Sequence, residues 1–271
     1  MPLFYVALLA AVQGITEFLP ISSHGHLILA RAAFSIETAE QGLLTDIAVH
    51  VGALAAVILY FRRDVWQILV GLARLATGRG GPQARLVLLI AVATPPVIVA
   101  GYLLTRVAAD GLAALTVIGW ATLGFALLLY AADRWGMTLR RIEHMKYGTA
   151  AIIGLFQILA LIPGTSRSGI TMTAARILGY ERVEAARFSL LLSIPTILAA
   201  GLWLGFEVQA RGDLALQSDL LLAAALAFVA ALLSIAAMMR WLARATFTPF
   251  VVYRILLGGA LLAWSYGWIG A

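Results

Sequence analysis

The 271-residue chain contains no cysteine, which excludes disulfides and thiolate-held metals and leaves the redox compartment open. Charge is scarce too. Asp, Glu, Lys and Arg make up 12% of the residues, against about 25% in an ordinary soluble domain, so a soluble globular protein is excluded. The apolar N-terminal run from Pro2 to Val12 lacks a basic segment before it and reads as retained structure, not as a cleaved signal peptide. A net charge of +6 raises nucleic acid as a partner. The basic residues, however, fall in short loops between apolar spans, a pattern that reports membrane topology and no nucleic acid.

What is abundant is hydrocarbon. The chain is 62% hydrophobic, with a mean hydropathy of +0.96, and its seven Trp and eight Tyr gather partly near segment ends, where membrane-interface anchors sit. Crossing a bilayer takes about 20 apolar residues. Six stretches qualify: 43–61, 85–105, 113–132, 188–206, 219–239 and 250–269. Two more, 3–30 and 148–178, are each interrupted by a polar island with Pro and Gly. An interior proline removes a helix hydrogen bond, and irregular backbone at membrane depth survives only inside protein or beside a wet cavity. Both are therefore read as re-entrant helical hairpins.

Loop charges orient the spans. Segments 62–85, 133–147, 179–187 and 240–249 carry thirteen Lys and Arg, whereas 31–42, 106–112 and 207–218 carry only Arg31, Arg106 and Arg211. The first group is expected in the cytoplasm. Hairpin 148–178 then enters from the cytoplasm and hairpin 1–30 from outside. The expected architecture is an all-α polytopic membrane protein, one integral-membrane domain over 1–271. Its six transmembrane helices and two re-entrant hairpins form an inverted-topology repeat with halves 1–132 and 146–271. Such repeats place a binding site near the midplane, where broken helices present their N-terminal N–H groups.

The polar islands resemble each other. The first runs Gln13-Gly14-Ile15-Thr16-Glu17-Phe18-Leu19-Pro20-Ile21-Ser22-Ser23-His24-Gly25-His26, and the second runs from Gln157 through Pro163-Gly164-Thr165-Ser166-Arg167-Ser168-Gly169-Ile170-Thr171. Ionisable groups within apolar spans are functional candidates by default, which singles out Glu17, His26 and Arg167. Gln13 and Glu17, four apart, share a helix face and suit a hard cation such as Mg²⁺ that also takes phosphate oxygens; a polar pair bonding across helices is the bland alternative. Ser22 is expected to cap a helix. Ser23 and His26 are expected to function, as nucleophile or phosphate ligand and as proton carrier, while His24 is undecided.

In the second island the glycines, hydroxyls and N–H groups before a helix at about 170–178 form an anion site, and Arg167 adds a bidentate fork for phosphate. A structural ion pair between Arg167 and Glu17 is the alternative; so many donors without an anion would go unsatisfied, which favours the anion. The remaining charges are expected to be bland: Arg176, Glu181, Arg182, Glu184 and Arg187 as an interfacial face, Arg62, Arg63 and Asp64 as a charged helix end, Asp46 and His50 as a capping or second-layer pair, and Arg254 as a snorkelling side chain.

Over its whole length, and specifically in Gln13–His26 and Pro163–Gly169, the chain resembles the undecaprenyl-diphosphate phosphatases of bacterial inner membranes, the bacitracin-resistance phosphatases. The resemblance implies a hydrolase that converts undecaprenyl diphosphate to the monophosphate and inorganic phosphate, recycling the cell-wall lipid carrier. It implies a divalent cation, Mg²⁺ or Ca²⁺, and an active site facing the periplasm. It carries Glu17, Ser23, His26 and Arg167 over as catalytic positions, with Glu17 and Gln13 toward the metal. Gly164, Thr165, Ser166, Arg167, Ser168, Gly169 and Thr171 fall to the phosphate. His24 stands where the family often has a small Ser or Thr, and Gln13 where it has Glu or Gln. Polyprenyl diphosphate and membrane lipids are the expected partners, with a homodimer left open. The rival reading is a lipid-phosphate transporter using the same inverted-repeat site.

Overall fold

The computed structural model describes residues 3–34, 40–106, 114–211 and 214–268. The first polar island separates α1 (Leu3–Thr16) from α2 (Ser23–Ala33). Next come α3 (Glu40–Tyr60), α4 (Arg62–Ala76), α5 (Pro82–Ala93), α6 (Pro95–Arg106) and α7 (Leu115–Trp135). The second island separates α8 (Tyr147–Gln157), with its 3₁₀ extension Ile158–Leu161, from α9 (Arg167–Ile177). Helices α10 (Arg182–Arg211), α11 (Leu214–Leu242) and α12 (Thr248–Ser265) complete the described chain. Among the described residues there is no strand, only a single bridge between Arg140 and Tyr180.

Helices meet where small residues let backbones approach. A Cβ on Gly52 would stand 2.0 Å from the Ala224 carbonyl oxygen, and one on Gly14 2.6 Å from that of Ala227. These contacts seat α3 and α1 against α11. In the other half α8 packs on α5, with Gly154 against Ala93, while α7 lies along α12. Each hairpin thus leans its first helix on the other half of the chain.

Five segments among the described residues are long and apolar enough to cross a membrane: Leu43–Tyr60, Pro82–Leu104, Leu115–Trp135, Gln217–Leu242 and Thr248–Ser265. The expected sixth, 188–206, lies within α10, which carries Pro195 in its interior. The expected span 85–105 is two helices, α5 and α6, because Pro95 has no N–H to continue the ladder; Thr94 ends α5 by donating its hydroxyl to the Ile90 carbonyl, 2.8 Å. The charged segment 62–85 holds the amphipathic helix α4. Of the lightly charged loops, residues 35–39, 107–113 and 212–213 lie outside the described residues.

Two expectations about charge are corrected. Arg176 is fully buried, not interfacial. It donates to the Asp133 carboxylate at 3.0 Å and to the carbonyls of Asp133, Gly136, Met137 and Tyr180. The other Asp133 oxygen accepts from the Phe247 N–H at 3.0 Å, and Arg182 joins the same carboxylate. Asp64 is likewise buried and is held by Arg187. Buried charges are kept only when paired, and here the pairs fasten α7 to α9, α10 and the start of α12, and α4 to α10.

Candidate active site

The two interrupted helices meet tip to tip. The helical runs end at Thr16 and Leu161, ahead of Pro20 and Pro163, and the chain then turns through Ser22 and Ser166, which share a left-handed backbone with φ of 70° and 69°. Side chains rarely adopt that region. Each serine stands immediately before a helix, so the islands correspond at a spacing of 144: Ser22 with Ser166, Gln13 with Gln157, Gly25 with Gly169 and Ser23 with Arg167. Counting from the prolines alone pairs Ser23 with Ser166, one residue off. Ser166 caps α9, its Oγ accepting from the Gly169 N–H at 3.1 Å. Ser22 occupies the cap position of α2, yet its buried Oγ has no partner among the described residues.

The corresponding residues Ser23 and Arg167, each first in its helix, both reach Glu17. Arg167 Nη2 donates to Glu17 Oε1 at 3.0 Å and Ser23 Oγ to Oε2 at 2.9 Å. Gln13 Nε2 donates to the same Oε2 at 2.7 Å and approaches His50 Nε2 at 2.8 Å, while His50 Nδ1 donates to the Asp46 carbonyl at 2.6 Å. Arg167 lies over the Phe18 ring, 5.9 Å from its centroid, and Ser168 Oγ donates to the Leu19 carbonyl at 3.0 Å. The ion pair first set aside as a structural alternative is therefore formed. It also borders a cavity of about 620 Å³. Glu17, Ser22, Ser23, His24, Asp46, His50, Ser166, Arg167 and Thr196 are among its polar lining, and Leu43, Ile47, Leu161 and Ile197 are among its apolar lining. Pro195 removes a hydrogen bond from α10 just before Thr196 and Ile197, which line the cavity.

Not every expected residue faces this space. His26 sits on the opposite side of α2, where Nδ1 donates to the Ser22 carbonyl at 2.7 Å and the ring stacks on Tyr253, whose hydroxyl is 2.5 Å from Nε2. His24 is the α2 histidine on the cavity wall. Thr171 is buried and spends its hydroxyl on the Arg167 and Ser168 carbonyls and on Ser189. The Thr165 hydroxyl is buried without a partner among the described residues. His50, one of the pair read as capping or second-layer, takes the second-layer place; its spacing from Asp46 is visible in the sequence, its approach to Gln13 across thirty-seven residues is not.

Arg254 is the clearest correction. Expected to snorkel, it is fully buried in α12 and donates only to backbone: Thr122 O at 3.2 Å, Gly164 O at 3.2 Å, Thr165 O at 2.9 Å and Pro20 O at 3.4 Å. Snorkelling needs a path to water, and the two tips close that path.

The donors suit a hard cation in one respect. The Gln13 side-chain oxygen is buried beside the Glu17 carboxylate without a partner among the described residues. One carboxylate and one amide oxygen fit Mg²⁺ or Ca²⁺ whose other ligands are water and substrate phosphate. No group of three or more His, Asp or Glu that could cage a metal exists among the described residues, so the phosphate oxygens would complete the shell.

Comparison with known proteins supplies the family. The family model described as "Bacitracin resistance protein BacA" matches residues 6–260. The protein named "Undecaprenyl-diphosphatase" from Jannaschia sp. is 52% identical over 268 residues, covering 98% of this chain and all of the relative. Its namesake from Roseobacter denitrificans is also 52% identical over 268 residues with the same coverage. That of Hahella chejuensis is 47% identical over 262 residues, covering 96% of this chain and 97% of the relative. With the match running through both hairpins and every described helix, the chain belongs to the bacitracin resistance protein BacA family.

Proposed function

We propose that this membrane protein hydrolyses undecaprenyl diphosphate to undecaprenyl phosphate and inorganic phosphate, returning the lipid carrier to cell-wall synthesis and conferring bacitracin resistance. The carrying observation is the convergence of two helix N-termini on the Glu17–Arg167 pair, at the polar end of a cavity with apolar walls. Relatives about half identical over nearly the whole chain carry the name of that activity. The two hairpins are re-entrant halves of an inverted repeat, and the site they form faces the periplasm of the bacterial inner membrane.

The residues divide the work. Arg167 grips the terminal phosphoryl oxygens through its planar fork, and the free N–H groups at the start of α9 stabilise the charge that develops there. Glu17, accepting from Ser23, is placed to take the hydroxyl proton as Ser23 attacks phosphorus, or to orient the water that attacks instead. The bridging P–O bond breaks and undecaprenyl phosphate departs. In the serine route water then attacks the phosphoserine, the proton held by Glu17 returns to Ser23 Oγ, and inorganic phosphate leaves. His26, facing Tyr253 and not the cavity, acts through the Ser22 carbonyl it holds and so orients the tip that carries Ser23. A divalent cation held by Glu17 and Gln13 would neutralise diphosphate charge. The apolar wall of Leu43, Ile47, Leu161 and Ile197 receives the first isoprene units.

Phosphate release from farnesyl or undecaprenyl diphosphate by the purified chain, with and without chelator, tests this reading. Turnover that stops on chelation and returns with Mg²⁺ or Ca²⁺ is expected. Absence of phosphate release under both conditions defeats it.

A further inference from the structure

Arg254 is a buried cation for which the proposed mechanism has no use. Among the described residues it has no carboxylate within ion-pairing distance; its donors go to four backbone carbonyls on three different elements. An unpaired buried charge costs several kcal/mol unless something repays its lost hydration. Four carbonyl dipoles do so in part, and an anion bound above the tips would complete the compensation.

The carbonyls it selects matter. In a trans peptide the C=O and the following N–H point to opposite sides of one plane. Drawing Thr165 O onto Arg254 therefore turns the Ser166 N–H the other way. The N–H groups of Ser166, Arg167 and Ser168 have no acceptor among the described residues, whereas Gly169 N–H is capped by Ser166 Oγ and Ile170 N–H is bonded to Ser166 O. Three successive free N–H groups at a helix start form a concavity for an anion. Thr122 supports the same geometry by donating its hydroxyl to Gly164 O at 3.2 Å. Arg254 also reaches Pro20 O of the first tip, so one guanidinium fixes the separation of Ser23 from the α9 start.

We infer that Arg254 is a positioning residue for phosphoryl transfer: it brackets both hairpin tips from below and aims the Ser166–Ser168 N–H groups at the transferred phosphoryl group. The inference rests on the hydrolase reading. A lysine keeps the charge but cannot span four carbonyls on three elements, so the bracket, not the charge, is what Arg254→Lys removes.

Full-length wild type, Arg254→Lys and Arg254→Gln are purified in detergent, and kcat, KM and melting temperature are measured with farnesyl diphosphate. Loss of aimed donors acts on the transition state, so kcat is expected to fall about 100-fold in Arg254→Lys with KM little changed. A merely structural role lowers melting temperature and yield but leaves kcat per folded molecule at the wild-type value, and that result overturns the inference. If neither variant accumulates, Gly169→Ala takes their place, since its Cβ would stand 2.8 Å from Arg254 Nη1 and displace the bracket. The same kcat-selective loss is expected there, and wild-type kcat refutes the inference. Failure of the hydrolase reading is distinguishable, because the wild type itself would then release no phosphate.

Discussion

Glu17 is the residue on which most contacts converge, receiving Arg167, Ser23 and Gln13 at once. Glu17→Gln is expected to nearly abolish phosphate release and flatten its Mg²⁺ titration, since the only carboxylate of the first tip is lost; an unchanged titration would remove Glu17 from the metal site. Arg167→Lys keeps the charge and loses the fork. A fall of about 100-fold or more in kcat/KM is expected, on the scale of losing one transition-state donor, and wild-type kinetics would make Arg167 structural. His26 and its partner separate by degree. A proton carrier is worth about 10²–10⁴-fold. His26 faces Tyr253 and not the cavity, so His26→Ala should lose less than that, through the tip it orients, and Tyr253→Phe, which removes only the partner hydroxyl, should retain most turnover. Equal losses would mean the pair acts as one unit. Glu17 and Arg167 were legible in the sequence because ionisable groups in apolar segments demand a reason, and Ser23 from its place between Pro20 and the histidines. Arg254 and Arg176 satisfied that criterion too and were still misread. Their acceptors are largely backbone carbonyls, which no residue pattern displays, and their positions near segment ends suggested a route to water that packing closes.

The turns at Ser22 and Ser166 are the elements that make the site. Gly164 adjoins one of them with a φ of +95°, and a Cβ there would lie 2.4 Å from the Ile118 carbonyl oxygen. Left-handed strain on a non-glycine residue costs roughly 1–3 kcal/mol. Gly164→Ala should therefore lower the melting temperature and impair turnover together; a variant with wild-type stability would show that the tip relaxes without cost. The breaks themselves were legible from Pro20 and Pro163. Their exact register was not, because the islands differ by one residue in proline spacing and only the paired left-handed serines reveal the correspondence at 144. Helix α4 was hidden in a segment read for its charge. The split between α5 and α6 was hidden because hydropathy averages over Pro95, which removes a hydrogen bond without adding polarity.

At the scale of the whole molecule, hydropathy recovered the all-helical plan because a bilayer forces every backbone group into local hydrogen bonds. Which side the site faces is a labelling question, and a chain without cysteine gives a clean background for it. In intact spheroplasts an impermeant thiol reagent is expected to modify Thr38→Cys, outside the described residues, and to spare Gly136→Cys, which follows α7. The reverse pattern would turn the site toward the cytoplasm. The fastening of α9 to α7 bears on the rival transporter. Carrying cargo through would require the second hairpin to rock, and its α9 holds Arg176 sunk among one carboxylate and four carbonyls. Breaking a buried pair of this kind costs about 3–5 kcal/mol, many times the thermal energy available to a freely rocking part. The floor beneath the reaction chamber is latched. On the proposed reading that latch would hold α9 still while substrate arrives and products leave, a dock and no ferry.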